Sequence, residues 1–131
     1  MDYTAQMEYS NTRNAFMLYN HMKVTEIGPG TSTVVADISP DSMNPHGTVH
    51  GGVFYTLADC AVSSAARSDG RKYVTLSTSF QYLRAAQEGP LICVATPIKR
   101  GKTTSTFQAE IFDPVRRLLA VGTFTMYCVE G

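Results

Sequence analysis

Residues able to do chemistry are concentrated between Asn44 and Asp59. A turn-forming run leads into His50-Gly51-Gly52, and an apolar segment with one acid, Asp59, follows directly. Two glycines at a helix start leave free backbone N–H groups that a ligand oxygen can approach closely. An acid set among apolar residues, as Asp59 is between Ala58 and Cys60, is a candidate functional carboxylate. The stretch predicts an electrophile bound at a helix N-terminus and a carboxylate acting as base or nucleophile.

The spacing of these groups bears on how many copies of the chain a site needs. Gly51 and Asp59 are eight positions apart, which is roughly 12 Å along a helix rising about 1.5 Å per residue. One small electrophile cannot contact both groups of the same helix. In a two-fold dimer, Asp59 of one protomer can face the Gly51 and Gly52 amides of the other. The spacing therefore predicts a homodimer with two sites at its interface.

Two other chemistries are less well supported by the same stretch. His46 and His50 are four positions apart, but Gly47 between them breaks a helical His face and no third ligand is nearby. We therefore expect no metal. Cys60 follows Asp59, and neighbouring positions point to different sides of a helix, so a packed thiol is expected rather than a nucleophile.

Apolar periodicity predicts the elements that position this stretch. A helix is expected from about Gly51 to Ser68, and its many small residues indicate that it is enclosed. Alternation in residues 72–84 predicts a strand with one set of side chains on a single face: Val74, Leu76, Thr78, Phe80 and Tyr82. Further strands are expected at 22–27, 31–39, 91–99, 102–112 and 118–129. The order predicts an α+β domain in which an antiparallel sheet curls around one long central helix.

The first 21 residues have a weaker pattern. Residues 2–10 show no clear periodicity and are expected to form a loosely held arm. Ala15, Phe16, Tyr19 and Met22 recur at helical spacing, which predicts a short amphipathic helix. We expect this segment to belong to a single domain over residues 1–131.

Composition narrows the class of protein. The formal net charge is zero, so neither nucleic acid nor an anionic membrane surface is expected as a partner. No apolar run reaches the length of a bilayer span, and the start of the chain lacks a basic signal-peptide region. Three cysteines are an odd number without Cys-x-x-Cys spacing, which is typical of reduced thiols. A cytoplasmic location is therefore expected.

A set of residue types stands at fixed spacing around the central loop and helix: Asn44, Gly47, His50, Gly51, Gly52, Leu57, Ala58 and Asp59. This pattern resembles the signature of hotdog-fold thioesterases, most closely the phenylacetate-degradation-type and thioesterase-superfamily-member-2-type acyl-CoA thioesterases. The wider resemblance covers about residues 22–129 and leaves out the N-terminal arm and helix. It implies a hotdog fold, hydrolysis of an acyl-CoA thioester, and a homodimer or a dimer of dimers. Beyond the coenzyme A of the substrate, it implies no cofactor.

The resemblance also implies roles for individual residues. Gly51 would polarise the thioester carbonyl through its backbone N–H, with His50 holding or flanking the loop. Asn44 would place its amide near the carbonyl or the attacking water. Asp59, from across the dimer interface, would act as general base or as a nucleophile that forms an anhydride. Thr75 would help to place the water.

On residue type alone, several of these positions also have structural explanations. Asn44 before Pro45 is a turn residue, His50 can cap the helix, and Thr75 suits a strand. Because the connection after the helix varies in length, Ser77 is an alternative to Thr75. Substrate binding is further expected from Gly52 and from basic residues able to pair with coenzyme A phosphates, namely Arg84, Lys99, Arg100 and Lys102.

Two other functions stay open at this stage. One is an enoyl-thioester hydratase or dehydratase on the same fold, and the other is a non-catalytic module that binds acyl-CoA. The acyl group is also open. Five aromatic side chains could line an acyl pocket or simply fill the core: Phe54, Tyr55, Tyr73, Phe80 and Tyr82.

Overall fold

A computed structural model describes residues 2–129 of the chain. The helices are α1 (Thr4–Arg13), α2 (Ala15–Tyr19) and α3 (Gly51–Ala66), with short 3₁₀ turns at Pro40–Ser42 and Arg67–Asp69. The strands are β1 (Met22–Gly28), β2 (Thr31–Ala36), β3 (Tyr73–Tyr82), β4 (Leu91–Arg100), β5 (Thr104–Phe112) and β6 (Leu118–Cys128). Across the described residues, no helix is both long and apolar enough to cross a bilayer.

The six strands form one antiparallel sheet in the order β1-β2-β4-β5-β6-β3. Strands β1 and β3 are its two edges. Helix α3 contacts all six strands, so the sheet curls around the helix as the alternation and helix length predicted. The expected α+β hotdog architecture is confirmed.

Small side chains allow α3 to approach the sheet closely. Ala58, Ala61 and Ala65 are fully buried, and Ser32 on β2 donates a hydrogen bond of 2.5 Å to the Ala61 carbonyl. The helix is therefore enclosed, as its composition predicted. One stripe at helical spacing is left partly exposed: Gly52, Tyr55, Thr56, Asp59, Cys60 and Ser63.

Strand β3 departs from the regular alternation that its sequence predicted. Its pairing with β6 shifts between Thr75 and Ser77, so that Leu76 is an extra residue in the ladder. Thr75 lies opposite the buried Met126, while Ser77 is exposed. Thr75 is on the same side of β3 as the buried Tyr73 and reaches α3, whereas Leu76 is 58% exposed instead of facing the core. Past the bulge, Thr78 and Phe80 are the less exposed positions.

The N-terminal segment is a fixed part of the structure, which corrects the expectation of a loose arm. Residues 4–13 form α1, and Asn11 binds the edge of β1 with both ends of its amide. Its Nδ2 donates to the Val24 carbonyl and its Oδ1 accepts from the Val24 N–H, each at 2.8 Å. Gln6 Nε2 also donates to the Ser64 carbonyl on α3 at 3.0 Å. Tyr3 and Met7 are the apolar residues of this segment that pack against the core, and the other attachments are polar. The apolar periodicity is therefore too weak to indicate a helix here.

The predicted short helix is present as α2, but its buried face is different. Phe16 and Tyr19, expected on one apolar face, are 65% and 80% exposed. Met17 is the residue that enters the core, at 1% exposure. The segment is only five residues long, so a single buried side chain determines how it lies.

Replacement of Asn11 tests the attachment of α1. Asn11→Ala removes both bonds to Val24 and exposes part of the β1 edge, so the free energy of unfolding should fall by about 1–2 kcal/mol. Urea unfolding measures this change. The matched control is Thr12→Ala, because the Thr12 hydroxyl bonds only carbonyls of its own helix. Equal stability of the wild type and Asn11→Ala would show that α1 does not depend on this contact.

Candidate active site

The start of α3 presents an unoccupied backbone donor. His50 Nδ1 accepts a hydrogen bond of 2.8 Å from the Gly52 N–H and caps the helix, and the His50 N–H donates to the Ser42 carbonyl at 2.8 Å. The Gly51 N–H has no acceptor among the described residues, as expected at the first position of a helix. Of the two glycine amides, Gly51 is therefore the one free to bind a substrate oxygen.

Both glycines are closely approached by neighbouring rings. A Cβ at Gly52 would lie 3.1 Å from His50 Nδ1, and one at Gly51 would lie 3.3 Å from the Tyr82 ring. Tyr82 Oη donates to the Gly51 carbonyl at 3.1 Å. The glycines thus let the cap and the aromatic ring pack directly on the helix start.

A cavity of about 280 Å³ lies beside Gly51. Its lining residues are Val49, Gly51, Phe54, Tyr82, Leu83, Arg84 and Ala85. The lining is mostly apolar, and Arg84 contributes its one charged side chain. This composition suits a neutral chain that carries an anion at one end.

Asn44 organises the loop that leads to His50. Its Oδ1 accepts from the His46 and Thr48 N–H groups at 2.9 and 3.1 Å, and its Nδ2 donates to Thr48 Oγ1 at 2.7 Å. Gly47 completes the turn with a φ of +82°. The side chain therefore holds the turn and retains one amide hydrogen for another acceptor.

Asp59 lies on the partly exposed stripe of α3 and is held by β3. Thr75 Oγ1 donates a hydrogen bond of 2.7 Å to Asp59 Oδ1, and it also approaches the Met126 sulfur at 3.5 Å. Ser77, the alternative hydroxyl, is exposed beyond the bulge. Thr75 is therefore the hydroxyl of this pair that the structure brings to the carboxylate.

Cys60 beside Asp59 is not activated. Burial, and secondly the negative charge of Asp59, raises the pKa of the Cys60 thiol to about 12. The thiol is therefore neutral near pH 7 and is a poor nucleophile. Among residues 2–129, no group of three or more His, Cys, Asp or Glu side chains is arranged to hold a metal ion.

Asp59 faces a second cavity, of about 420 Å³. Its lining residues are Asn14, Phe16, Tyr55, Thr56, Asp59, Cys60 and Ser63. None of these residues lines the Gly51 cavity. Gly51 and Asp59 are also roughly 12 Å apart along the helix. One protomer thus presents Asp59 and Gly51 in separate cavities.

Sequence patterns could have indicated part of this second cavity. Thr56, Asp59 and Ser63 follow one another at helical spacing on an otherwise apolar helix, and this polar stripe is visible in the sequence. Asn14 and Phe16 carry no such signal. Their position depends on how α2 lies against α3.

The predicted phosphate-binding residues lie at opposite ends of α3. Arg84 lines the Gly51 cavity, whereas Lys99, Arg100 and Lys102 belong to the β4–β5 hairpin. Arg100 Nη2 donates to the Ala66 carbonyl at 2.7 Å, which places this hairpin beside the C-terminal end of the helix. Of these four residues, Arg84 is therefore the one that lies at the Gly51 cavity.

Arg100 is already engaged in an ion pair at that end of the helix. Its guanidinium contacts Asp69 at 3.0 Å and the Tyr73 hydroxyl at 3.0 Å. Burial acts to raise the pKa of Asp69, but hydrogen bonds from Tyr73 and Arg71 and the charge of Arg100 together hold that pKa below its ordinary value. Arg100 thus caps α3 and stabilises a carboxylate.

The five aromatic residues considered for an acyl pocket fall into two groups, one near the two cavities and one in the Asp69 cluster. Phe80 packs edge to face against Tyr55 and Tyr82 with ring centroids 6.0 and 4.9 Å apart, and Phe54 stacks on Tyr82 at 5.9 Å. These four rings therefore lie between the two cavities. Tyr73 is instead part of the Asp69 cluster and is removed from both.

Comparison with known proteins identifies the family to which the chain belongs. Residues 46–120, more than half of the chain, match the thioesterase superfamily. A relative from Archaeoglobus fulgidus is 29% identical over 109 residues, covering 82% of this chain and 71% of that protein. The acyl-coenzyme A thioesterase PaaI of Escherichia coli is 23% identical over 124 residues, covering 88% of this chain and 89% of that protein.

Solved structures agree with the architecture. The E. coli PaaI structure superposes with a TM-score of 0.90 at 23% identity, covering 97% of this chain and 94% of that one. The Streptococcus mutans protein smu.793, solved with bound acetyl CoA, gives a TM-score of 0.80 at 25% identity over 83% of this chain and 89% of its own. The chain belongs to the thioesterase superfamily and is a thioester hydrolase with the hotdog fold.

Proposed function

We propose that this protein hydrolyses an acyl-CoA thioester to the free acid and coenzyme A, at a site shared between two protomers. The observation that carries the proposal is that one helix presents both an unoccupied Gly51 amide and an Asp59 carboxylate held by Thr75. Membership of the thioesterase superfamily supports the reaction class. The relative named acyl-coenzyme A thioesterase and the structure with bound acetyl CoA support the substrate class.

The Gly51 N–H would stabilise the charge that develops on the thioester oxygen. A fixed donor at this position is worth about 3 kcal/mol in the transition state. His50 and Asn44 are positioning residues, since the first caps the helix and the second holds the preceding turn. On the resemblance to the family, the remaining amide hydrogen of Asn44 would bond the carbonyl or the water.

Asp59 would supply the second half of the chemistry by one of two routes. As a general base, it takes a proton from water while the water oxygen attacks the carbonyl carbon, and the C–S bond then breaks to release the thiolate. As a nucleophile, it attacks the carbonyl, expels the thiolate and leaves a mixed anhydride that water hydrolyses. Thr75 binds Oδ1 in either route, which leaves Oδ2 for the reacting atoms.

A second copy of the chain would bring the two halves together. Strand β3 is an edge of the sheet with unpaired backbone groups, so it can accept another strand. On its outer side, Val74 and Leu76 are 48% and 58% exposed, which suits a further contact between dimers. We therefore propose a homodimer or a dimer of dimers. We also propose a cytoplasmic location, for which Cys60 and Cys93 as unbridged thiols are the support. No cofactor beyond the substrate is proposed.

Replacement of Asp59 tests the reaction. Asp59→Asn and Asp59→Ala should lower kcat by at least about 100-fold, because base or nucleophile is lost. Thiol release from a panel of acyl-CoA substrates measures this, and circular dichroism checks the fold. The control is Asp41→Asn, which changes an exposed carboxylate on a 3₁₀ turn. Near-wild-type hydrolysis by both Asp59 variants would exclude the mechanism, and hydration without thiol release would indicate a hydratase.

Mixed dimers test whether the site is shared. Gly51→Pro removes the N–H at a helix position that tolerates proline, and Gly51→Ala keeps the N–H as its control. Two inactive chains, Gly51→Pro and Asp59→Asn, should form a heterodimer with one intact site. Heterodimers isolated with two affinity tags should show about half the wild-type rate per dimer. An inactive heterodimer would show that each protomer holds a complete site.

The role of Arg84 can be separated from catalysis by the choice of substrate. Arg84→Gln should raise KM for an acyl-CoA about fivefold, the effect of losing roughly 1 kcal/mol of phosphate contact. KM for the corresponding acyl-pantetheine should not change, because that thioester lacks the nucleotide phosphates. Lys23→Gln, an exposed change on the opposite sheet edge, is the control. An equal increase in KM for both substrates would contradict phosphate binding by Arg84.

A further inference from the structure

The N-terminal segment contributes to the Asp59 cavity although it lies outside the family match. Residues 46–120 match the superfamily, whereas Asn14 and Phe16 come from the junction of α1 and α2 and the first turn of α2. These two residues line the cavity together with five residues of α3. The cavity beside the carboxylate is therefore lined in part by a segment that lies outside the family match.

Phe16 is held in this lining by contacts on both sides of it in sequence. Asn14 Oδ1 accepts from the Met17 N–H at 3.4 Å and caps α2, and the Met17 side chain is buried in the core. Upstream, Asn11 attaches α1 to Val24 of β1. The backbone at Phe16 is thus fixed while its ring is left 65% exposed at the cavity.

The chemistry of the lining indicates which end of a substrate it accepts. Phe16, Tyr55 and the neutral Cys60 thiol supply apolar surface, and Asp59 is the one charged residue in the lining. A carboxylate disfavours nucleotide phosphates by like-charge repulsion. The other cavity, at Gly51, contains Arg84. An uncharged acyl group therefore suits the Asp59 cavity, and the coenzyme A arm suits the Gly51 cavity.

We propose that Phe16 forms the end wall of the acyl pocket and sets the largest acyl group that the enzyme accepts. This inference rests on the proposed acyl-CoA hydrolysis. In the shared site, the carbonyl lies at Gly51 of one protomer and the acyl group extends into the Asp59 cavity of its partner. A ring carried on this fixed backbone and lining that cavity limits acyl length and bulk by contact. Phe16 is a specificity residue and takes no part in bond breaking.

The test uses full-length enzyme and straight-chain acyl-CoA substrates from acetyl to dodecanoyl, assayed by thiol release. Wild-type kcat/KM should fall beyond a certain chain length. For the first chain beyond that limit, Phe16→Ala should raise kcat/KM relative to acetyl-CoA at least about tenfold, since a few methylenes in an apolar pocket are worth this much. Phe16→Trp should move the limit to shorter chains. Tyr19→Ala changes another exposed ring of α2 that does not line the cavity, and it should leave the profile unchanged.

The outcomes separate this inference from the reaction itself. Opposite shifts by Phe16→Ala and Phe16→Trp, with no shift in Tyr19→Ala, support a wall at Phe16. An unchanged chain-length profile in both Phe16 variants overturns the inference and leaves thioester hydrolysis intact. A uniform loss across all chain lengths also overturns it, because a wall acts selectively. If the wild type hydrolyses none of the substrates, the proposed function and this inference fall together.

Discussion

The close approach of α3 to the sheet is the constraint on which the rest of the structure depends. It requires small side chains such as Ala58, Ala61 and Ala65 along most of the helix, and it leaves only one stripe of the helix partly open. A polar residue with access to solvent must lie on that stripe. Asp59 does so, and the curled sheet then brings Thr75 within hydrogen-bonding distance. Packing of α3 against the sheet thus limits the helix positions at which a polar side chain can reach solvent.

The same helix also holds the Gly51 amide and the Asp59 carboxylate apart. Its first amide is free because a helix start has no internal acceptor, whereas its carboxylate is available because one stripe escapes the sheet. Helical rise keeps the two groups roughly 12 Å apart. Rigid burial makes that separation insensitive to small motions, so the helix cannot bend to join them. Under the mechanism proposed above, a complete site is a property of an assembly, in which each protomer contributes one part to each of two sites.

Much of the fold could be predicted from the sequence, and the exceptions have identifiable physical causes. The extent of α3 and the succession of helices and strands along the chain follow from local periodicity. The bulge at Leu76 does not, because it is defined by pairing with β6, some fifty residues away. Local apolar periodicity does not predict helix α1, because the helix is attached to β1 by polar bonds from Asn11. For the site, the loop and the acid could be identified locally, but the structural role of Arg100 depends on a contact with Ala66 across the fold.

The way in which the N-terminal segment is attached has an evolutionary consequence. Asn11 bonds the backbone of Val24, and Gln6 bonds the backbone carbonyl of Ser64. Neither contact uses a side chain of the core. A substitution of the Val24 or Ser64 side chain leaves these backbone groups in place, so both contacts tolerate sequence change at their partners. Met17, which is buried in the core, is the part of the segment that must vary together with the core. The exposed ring of Phe16 is free of that constraint, so evolution can alter the cavity lining while the core is conserved.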